Sequence, residues 1–460
     1  MNKTEPSYSL RYTAAALLER VETGQAFSHL LLHHELAGKA WSREDAGLLT
    51  EIVYGTLRRQ NTLDYVLVVF VNKPLTKLDA WVRVLLRMSV YQMRYLDRVP
   101  DHAVVDEAVK IAKQRGNKGV SGFVNGVLRS LQRKGFPDTS AIKNAEERLA
   151  VDYSHPAWML KEWQNAYGEQ TALRIAEANN VTPKTSVRVS PEAELEDVQE
   201  MLEQEGIQTT RGAIAEKALI VEKGNVLVTE AYQNGYITVQ DESSMKAGEA
   251  LKVEESMDIL DACAAPGGKS TDLAERTGPG GSVTAHDLSA KKLNQIEEQA
   301  ARLQLENIAT AAGDARQLTT TFPARTFDRV LVDAPCSGLG VIRKKPEQKW
   351  AKKAEDFERL PEIQQEILNE AVSMLRFNGR IVYSTCTIRP EENEQVWEAF
   401  LHRHPELTPD HELTDKLNIS EIEHFSSEYG WCTILPHEYG TDGFFIAAAV
   451  KNNQEETEGA

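Results

Sequence analysis

The fold of the C-terminal half is decided by the stretch MDILDACAAPGGK, residues 257–269. It opens with Met257–Leu260, a short apolar run of the kind that a buried strand needs. The Gly267-Gly268 pair follows, and residues without side chains let a ligand approach the backbone at the start of a helix. The dinucleotide pattern G-x-G-x-x-G is absent, which disfavours nicotinamide and flavin enzymes. The stretch predicts a ligand-binding turn after the first strand of an α/β domain, with an ordinary tight turn as the alternative.

Downstream of this turn, apolar runs alternate with amphipathic stretches. The runs are Met257–Leu260, Ser282–Ala285, Arg329–Val332, Arg380–Tyr383 and Phe444–Val450, and the amphipathic stretches include Lys291–Gln304 and Pro361–Leu375. Continuous apolar strands separated by helices predict a doubly wound, mostly parallel sheet, which binds ligands at the carboxyl ends of its strands. We expect a Rossmann-like α/β catalytic domain over residues 245–451 and a disordered polar tail over 452–460.

The N-terminal part has the period of helices. Apolar residues recur at helical spacing around Ala14–Val21, Leu48–Val53, Leu63–Val71, Trp81–Tyr95, Val104–Gln114 and Gly119–Gln132. Residues 1–140 are therefore predicted to form an all-α bundle of six or seven helices. A helical connector over 141–180 is expected to follow. Strand patterns at Ser186–Ser190, Ala218–Val221 and Gly235–Gln240, with a helix at Leu195–Glu205, predict a small α+β module over 181–244.

Composition excludes several classes of protein. The chain has 460 residues, and no apolar run approaches the roughly 18 residues of a membrane span. Residues 1–20 are polar, so no signal peptide is expected. The four cysteines, Cys263, Cys336, Cys386 and Cys432, are too few for a disulfide framework and too far apart for a close-set zinc site. We expect reduced thiols, no metal, a cytoplasmic location and, by default, a monomer.

The net charge of −17 disfavours a nucleic-acid ligand, but binding depends on local patches. One tract contains Lys110, Lys113, Arg115, Lys118, Arg129, Arg133 and Lys134 without an intervening acid. A second contains Arg343, Lys344, Lys345, Lys349, Lys352 and Lys353 against the single Glu347. Two such tracts in an acidic chain predict a phosphate-binding surface, with solvated helix faces as the alternative.

Acidic residues stand at the ends of successive predicted strands. They are Asp261 after the first, Asp287 after the second and Asp314 after the third. An acid in the position of Asp287 can accept hydrogen bonds from ribose hydroxyl groups. An acid in the position of Asp314 can accept a hydrogen bond from an adenine amino group. A single acid at a strand end is more often a helix cap. Three in succession favour a nucleoside pocket.

The fourth and fifth of these predicted strands are each followed by a cysteine, Cys336 and Cys386. A lone buried cysteine is often an inert apolar residue. Two beside a nucleoside pocket suggest attack on a pyrimidine, because addition of a thiolate to carbon 6 makes carbon 5 nucleophilic. The reaction also needs an acid near N3, for which Asp333 is the natural group. The second cysteine could act as general acid or base, or help to break the adduct.

These residues resemble the RNA (cytosine-5)-methyltransferase family, often called the NOL1/NOP2/Sun or Fmu family. The resemblance lies in Asp261–Lys269 (DACAAPGGK), Asp333–Gly338 (DAPCSG), Tyr383–Thr387 (YSTCT) with EENE after it, and Asp442–Phe445 (DGFF). It implies S-adenosyl-L-methionine as cofactor, Cys386 as nucleophile and Cys336 as the residue that assists product release. It also implies cofactor contacts from Cys263 (through its backbone), Ala264, Ala265, Pro266, Gly267, Gly268, Lys269, Asp287, Asp314 and Asp333. Cys432 matches no catalytic position.

The N-terminal part resembles the antitermination factor NusB. The matching stretches are Glu44–Gln60, Leu85–Asp97, His102–Lys113 and Gly122–Arg129. Together the two resemblances imply 16S rRNA, free or in an early assembly intermediate, as the substrate. The same chemistry on tRNA or another rRNA site is the nearest alternative, and the motifs do not specify the target nucleotide. A non-catalytic RNA-binding assembly factor would not need both cysteines intact, and a small-molecule or protein methyltransferase would have no use for Cys386.

Overall fold

The computed structural model describes residues 9–24, 27–39, 41–419 and 421–452. The chain divides into two compact units, one formed by Met1–Val181 with Ile342–Lys352 and the other by Thr182–Val341 with Lys353–Ala460. Among the described residues, no helix has the length and apolar character required to cross a membrane. The part of the predicted tail that follows Asn452 lies outside the described residues.

The first unit is helical. Its helices, in chain order, are α1 (Leu10–Glu22), α2 (Ser28–Gly38), α3 (Arg43–Arg58), α4 (Gln60–Phe70), α5 (Ala80–Tyr95), α6 (Asp101–Arg115), α7 (Lys118–Lys134), α8 (Ala145–Asp152), α9 (Ala157–Tyr167) and α10 (Glu169–Ala178), with short 3-10 helices at Leu75–Lys77 and Thr139–Ala141. The all-α prediction for residues 1–140 is confirmed. The apolar pattern did not reveal α2, because only Ser28, Leu31 and Leu32 of this helix are buried.

One apolar core holds the bundle together. Leu49, Leu63, Leu85 and Leu128 come from four different helices and are fully buried. Burial of each such side chain stabilises the fold by about 2 kcal/mol. A partly buried ion pair adds to the core, since the Arg87 guanidinium donates to both carboxylate oxygens of Asp64 at 2.6 and 2.7 Å.

The second unit contains all the strands of the described chain. The elements from residue 182 onward are, in chain order, β1 (Thr185–Val189), α11 (Leu195–Gln204), β2 (Gln208–Arg211), β3 (Ala218–Lys223), α12 (Glu230–Gln233), β4 (Ile237–Val239), α13 (Glu242–Ala250), β5 (Asp258–Asp261), α14 (Gly268–Thr277), β6 (Ser282–Asp287), α15 (Ala290–Arg302), β7 (Ile308–Ala312), α16 (Leu318–Thr321), β8 (Phe327–Asp333), α17 (Gln348–Ala351), α18 (Leu360–Met374), β9 (Leu375–Thr385), α19 (Glu394–Arg403), β10 (Leu407–Pro409), α20 (Leu413–Lys416), β11 (Phe425–Ser426), β12 (Trp431–Ile434) and β13 (Phe444–Lys451). Helix α17 lies in the insertion Ile342–Lys352 and belongs to the first unit. Short 3-10 helices lie at Val226–Val228, Ala315–Gln317, Ala354–Phe357 and Pro390–Glu392.

The strands form two sheets. Strands β1 to β4 make an antiparallel sheet of order β2-β3-β1-β4, which is the predicted small α+β module with one strand, β2, that the sequence did not reveal. The larger sheet has the order β11-β12-β13-β9-β8-β5-β6-β7, with β10 paired to β13. Strands β5 to β9 are parallel and carry the Rossmann-like core, so the predicted fold class is confirmed. The sheet is mixed rather than mostly parallel, because β10 to β13 are all antiparallel.

A buried ion pair ties the small sheet to the larger one within the second unit. Arg188 of β1 is 3% exposed, and its guanidinium contacts the carboxylates of Asp272, at 3.4 Å, and of Glu275. Both acids lie on α14, the helix that follows the first strand of the Rossmann-like sheet. Removal of one partner of a buried pair leaves an uncompensated charge, so this contact constrains the small module strongly.

The insertion Ile342–Lys352 changes the interpretation of the second basic tract. These residues belong to the helical unit, where the Lys349 ammonium is fully buried and donates to Arg58 O, Ser154 O and Asn180 Oδ1 at 3.2, 3.1 and 3.0 Å. Arg343 is buried too. The predicted phosphate-binding surface over Arg343–Lys353 is therefore wrong for Arg343 and Lys349, because both side chains lie inside the protein.

The acid of the tract is buried as well. The Glu347 carboxylate accepts from the backbone N–H of Ser28 at 3.1 Å and from its hydroxyl at 2.7 Å, at the start of α2. An acid is favourable there because a helix N-terminus carries partial positive charge and unpaired N–H groups. The insertion is thus held to the helical unit through the buried side chains of Lys349 and Glu347.

Lys349→Ala should lower the free energy of unfolding of the helical unit by about 3 kcal/mol, since three buried oxygens lose their donor and a cavity remains. Thermal unfolding followed by circular dichroism measures the change. Lys113→Ala, which removes an exposed lysine of α6, is the matched control and should leave the transition unchanged. A Lys349 variant as stable as this control would show that the buried amine contributes nothing to the fold.

Candidate active site

The two cysteines meet because their strands are neighbours. Strand β8 pairs with β9 in parallel, with Val332 opposite Tyr383 and Asp333 opposite Ser384. Both strands end at the same edge of the sheet, and the Sγ atoms of Cys336 and Cys386 lie 3.4 Å apart. Both residues are half-buried.

Glycines let the turns beyond these strands approach each other closely. The N–H of Gly340 donates to Cys386 O at 2.9 Å, and the N–H of Gly443 donates to Gly340 O at 2.9 Å. A Cβ atom on Gly340 would lie 1.9 Å from Gly443 O, which no real structure tolerates. The glycine of the DGFF motif therefore serves the active site through its backbone.

Asp333 is held at both carboxylate oxygens. Oδ2 accepts from the Lys269 ammonium at 2.7 Å, and Oδ1 accepts from the Ser384 hydroxyl at 2.8 Å. Burial opposes the charge of Lys269, but the Asp333 carboxylate outweighs it and the pKa of Lys269 is raised. The charge of Cys386 also acts on Lys269. The Lys269–Asp333 pair therefore keeps a proton close to the two sulfur atoms.

The other predicted acids have partners of their own. Asp287 accepts from the backbone N–H groups of Ala265, at 3.1 Å, and Ser289, at 2.9 Å. Asp314 caps the 3-10 helix Ala315–Gln317 and binds the Arg316 guanidinium, which lowers the pKa of Asp314. Asp314 is thus a helix cap, the alternative considered for a single strand-end acid, and a ligand must compete with Arg316 for it.

Asp261 is the buried acid of the cluster. It is 1% exposed, and its carboxylate accepts from the Ser270 hydroxyl at 2.7 Å. Burial, together with the charge of Asp333, raises the pKa of Asp261 to about 7. Near neutral pH this group therefore exchanges between its acid and carboxylate forms.

The turn Cys263–Lys269 joins β5 to α14. Gly267 has φ +106°, a left-handed conformation that favours glycine, and a Cβ atom there would press against Ile296 at 2.9 Å. Gly268 begins α14, and a Cβ atom there would meet nothing within 4 Å, so the space beside this turn is open. Burial and the nearby carboxylates, Asp261 first, raise the pKa of the Cys263 thiol well above its ordinary value. Cys263 therefore stays a thiol, in keeping with a backbone role.

Two further observations concern cysteines and metals. Cys432 is fully buried on β12, and burial raises its pKa to about 12, which is typical of an inert thiol. The described part of the chain holds no group of three or more His, Cys, Asp or Glu side chains placed to bind a metal ion.

Sequence reasoning missed the polar residues around the two cysteine turns. Gln364, Glu392 and Asn393 are fully buried, and the hydroxyls of Ser337 and Thr387 lie 2.7 Å apart. Two of them, Glu392 and Asn393, lie in the EENE run of the family resemblance, which follows the Cys386 motif after three intervening residues, but the resemblance gave them no role. Gln364 had a weaker one, because it stands on the apolar stripe of α18 with Leu368 and Ala371.

The chain matches three protein families in succession. Residues 9–133 match the NusB family, 155–228 the ferredoxin-like domain of RsmF/B-like methyltransferases, and 249–450 the 16S rRNA methyltransferase RsmB/F family. The chain is 46% identical over 444 residues to "Probable ribosomal RNA small subunit methyltransferase B" of Bacillus subtilis (strain 168), with 96% of this chain and 99% of that protein covered. The chain belongs to the small-subunit rRNA methyltransferase B family. It is thus a rRNA methyltransferase that depends on S-adenosyl-L-methionine.

Solved structures agree with this fold. The crystal structure of PH0851 superposes with a TM-score of 0.80 at 25% identity and covers 97% of this chain and 100% of its own. NSun6 from Pyrococcus horikoshii with SFG superposes with a TM-score of 0.57 at 21% identity, covering 65% of this chain and 99% of its own. The second likeness bears on the fold alone.

The residues of the methyltransferase B site fit a cationic cofactor. Carboxylates at the ends of β5, β6 and β8, and one just past β7, suit the positive charge and amino groups of S-adenosyl-L-methionine. The open space beside Gly268 lets a ligand approach the turn. Asp261, Asp287, Asp314 and the Cys263–Lys269 turn are the groups that would hold it.

The affinity for the cofactor should rise with pH because ionised Asp261 attracts a cation and protonated Asp261 does not. The raised pKa also affects the stability of the free protein. The contribution of Asp261 to the free energy of unfolding is largest at a pH below its ordinary pKa of about 3.9, and it is lost as the pH rises to about 7. Between pH 6 and pH 7.5 the binding constant should rise about eightfold if only the ionised form binds. Isothermal titration calorimetry with S-adenosyl-L-methionine measures it.

Asp261→Asn supplies the control, because it keeps the shape of the side chain without the titrating group. Its affinity should be lower at pH 7.5 and should lack the eightfold rise. Equal pH dependence in the variant and the parent protein would assign the effect to the cofactor's own amino group.

Proposed function

We propose that this enzyme methylates carbon 5 of a cytosine in 16S rRNA through a covalent adduct between Cys386 and carbon 6. The observation that supports this most directly is the 3.4 Å separation of the Cys336 and Cys386 sulfur atoms. A reaction that adds a sulfur atom to a pyrimidine ring and later removes it needs a nucleophile and a second group that assists release, both close to the same ring. The Lys269–Asp333 pair beside them offers the proton that the ring must take up.

Adduct formation requires a nucleophile and a proton. As the Cys386 thiolate forms its bond to carbon 6, the electrons of the carbon 5–carbon 6 double bond move into the ring and N3 takes up a proton. Asp333 is the group proposed to face N3, and the Lys269 ammonium, which donates to Asp333 at 2.7 Å, is the source of the proton that Asp333 passes on. Carbon 5 is then enamine-like and nucleophilic. When bound, S-adenosyl-L-methionine supplies an electrophilic methyl group on a sulfonium sulfur.

Release requires a base. Removal of the proton from the methylated carbon 5 restores the double bond to carbon 6 and expels the Cys386 thiolate, and N3 gives back the proton that it took up during adduct formation. Cys336 is the proposed acceptor of this proton. Its hydrogen bond with Cys386, its burial and the charge of Cys386 raise the pKa of the Cys336 thiol well above its ordinary value. Once Cys386 is bonded to carbon, its charge no longer raises the pKa of Cys336. The Cys336 thiol can then lose its proton to solvent, and the resulting thiolate takes the proton from carbon 5.

The choice of 16S rRNA rests on the family rather than on the site. The first basic tract supports RNA binding by the helical unit, since Lys110, Lys113, Lys118, Arg133 and Lys134 are exposed on α6 and α7. Arg115 is an exception because it is half-buried, binds Glu19 at 2.7 Å and lies over the Trp81 ring. The monomeric state, the cytoplasmic location and the finer division of the chain into domains stay predictions.

The two cysteines should fail in different ways. Cys386→Ala should lower turnover on the order of 10³-fold or more, without loss of cofactor binding, because no adduct can form. Cys336→Ala should instead accumulate a protein–RNA adduct, because elimination is slowed. Denaturing gel electrophoresis of the enzyme with labelled RNA and cofactor separates the two outcomes. A Cys386→Ala enzyme that still methylates would remove the nucleophile assignment, and an inactive Cys336→Ala enzyme without adduct would remove the release role.

The substrate assignment is tested by bisulfite sequencing of total RNA from a strain that lacks this gene and from its parent. Loss of one 5-methylcytosine from 16S rRNA is the expected result. Loss from a tRNA or from large-subunit rRNA would keep the chemistry and contradict the substrate. Unchanged 5-methylcytosine at every site would contradict the proposed reaction.

A further inference from the structure

Both neighbours of Cys336 are held by buried side chains. The N–H of Ser337 donates to Glu392 Oε2 at 2.8 Å, and the carbonyl of Pro335 accepts from Gln364 Nε2 at 3.0 Å. The same Gln364 amide donates to Glu392 Oε2 at 3.2 Å. Gln364 and Glu392 are both fully buried. The backbone on either side of the second cysteine is therefore fixed by one connected pair.

Both neighbours of Cys386 are held in the same manner by the next residue of the chain. The Thr385 hydroxyl donates to Asn393 Oδ1 at 2.6 Å, and Asn393 Nδ2 donates to Thr387 O at 3.0 Å. Asn393 is fully buried as well. Two consecutive residues, Glu392 and Asn393, thus hold the two cysteine turns from one place.

Stability of the fold alone does not explain why these three polar side chains are buried. Burying a carboxylate and two carboxamides is unfavourable unless hydrogen bonds compensate, and apolar residues would fill this space at lower cost. The compensating hydrogen bonds go to the residues that flank the two cysteines. The Arg389 guanidinium also lies 3.5 Å from the Glu392 carboxylate. The polar interior is therefore directed at the geometry of the sulfur atoms.

We propose that Glu392 and Asn393 are positioning residues that set the separation of the two sulfur atoms, with Glu392 acting on Cys336 and Asn393 on Cys386. Gln364 completes the hold on the Cys336 turn. None of the three is assigned a contact with substrate. This inference rests on the proposed covalent mechanism, in which Cys386 forms the adduct and Cys336 promotes its release. It predicts that loss of each positioning residue reproduces, in weaker form, the defect of the cysteine it holds.

Charge reinforces the geometry. The groups that act on the Cys336 thiol are Cys386, Glu392 and Asp333, and each raises its pKa. The Glu392 carboxylate therefore helps to keep Cys336 protonated until the adduct has formed. The negative charge of Glu392 thus reaches Cys336 from the 3-10 helix Pro390–Glu392.

The test uses the full chain with S-adenosyl-L-methionine and total RNA from a strain lacking the gene, which contains the unmodified target whichever RNA carries it. Glu392→Ala should lengthen the half-life of the covalent adduct at least about tenfold, because Cys336 is no longer held. Asn393→Ala should instead slow adduct formation at least about tenfold. Glu391→Ala, which removes an exposed acid from the same 3-10 helix, is the matched control and should behave as the parent enzyme.

A double variant separates positioning from general damage to the fold. If Glu392 acts through Cys336, then Glu392→Ala combined with Cys336→Ala should have the adduct half-life of Cys336→Ala alone, because coupled residues are not additive. Calorimetry must show that each variant still binds the cofactor. An adduct half-life in Glu392→Ala equal to that of Glu391→Ala would overturn the inference. Failure of Cys336→Ala to trap any adduct would instead remove the release role of Cys336, on which this inference rests.

Glu392→Gln keeps the test decisive if Glu392→Ala does not fold. It preserves the size of the side chain and one oxygen acceptor but removes the charge. The pH profile of adduct release should move to lower pH, because the Cys336 thiol loses one of the charges that raise its pKa and the thiolate that promotes release forms at lower pH. A half-life and a pH profile identical to those of the parent enzyme would refute the proposed role.

Discussion

Strands β8 and β9 are hydrogen-bonded in parallel with Asp333 opposite Ser384, and the active site depends on this register. It brings together two cysteines that are 50 residues apart in the chain, with their sulfur atoms 3.4 Å from each other. It also places the Ser384 hydroxyl within hydrogen-bond distance of Asp333. A slip of one residue would turn every side chain of one strand to the opposite face of the sheet. The buried network around Gln364, Glu392 and Asn393 can then fix the turns beyond the strands.

The carboxyl edge of the sheet concentrates negative charge. Asp261, Asp287 and Asp333 end three parallel strands, and Asp314 follows a fourth. Burial, together with the charge of Asp333, raises the pKa of Asp261 to about 7, and the Asp333 carboxylate raises the pKa of Lys269. A cofactor that carries a sulfonium and an ammonium group complements this edge. The electrostatics of the site therefore agree with the family to which the chain belongs.

The two basic tracts show that charge in a sequence is not charge on a surface. Most of the lysines and arginines of the first tract lie exposed on α6 and α7. In the second tract the Lys349 ammonium is enclosed by Arg58 O, Ser154 O and Asn180 Oδ1, and Arg343 is buried. The acceptors of Lys349 lie far from it in the chain, so no local pattern reveals them. A lysine can be buried in this manner only when oxygen acceptors replace its water.

The sequence by itself determined the α/β class of the catalytic part, the helical N-terminal part, the turn after the first strand of the catalytic part and the two candidate cysteines. These features are local. The spacing of apolar residues, every 2 residues in a strand and every 3.6 in a helix, shows which face of the element is buried. A short motif likewise shows its backbone conformation through its glycine and proline residues. Only the tertiary structure decided that β10 to β13 run antiparallel, that Asp314 is paired with Arg316, and that Glu392 and Asn393 hold the cysteine turns. Each of these depends on which residues meet after the chain has folded, and a buried polar residue finds its partner through packing rather than through spacing in the sequence.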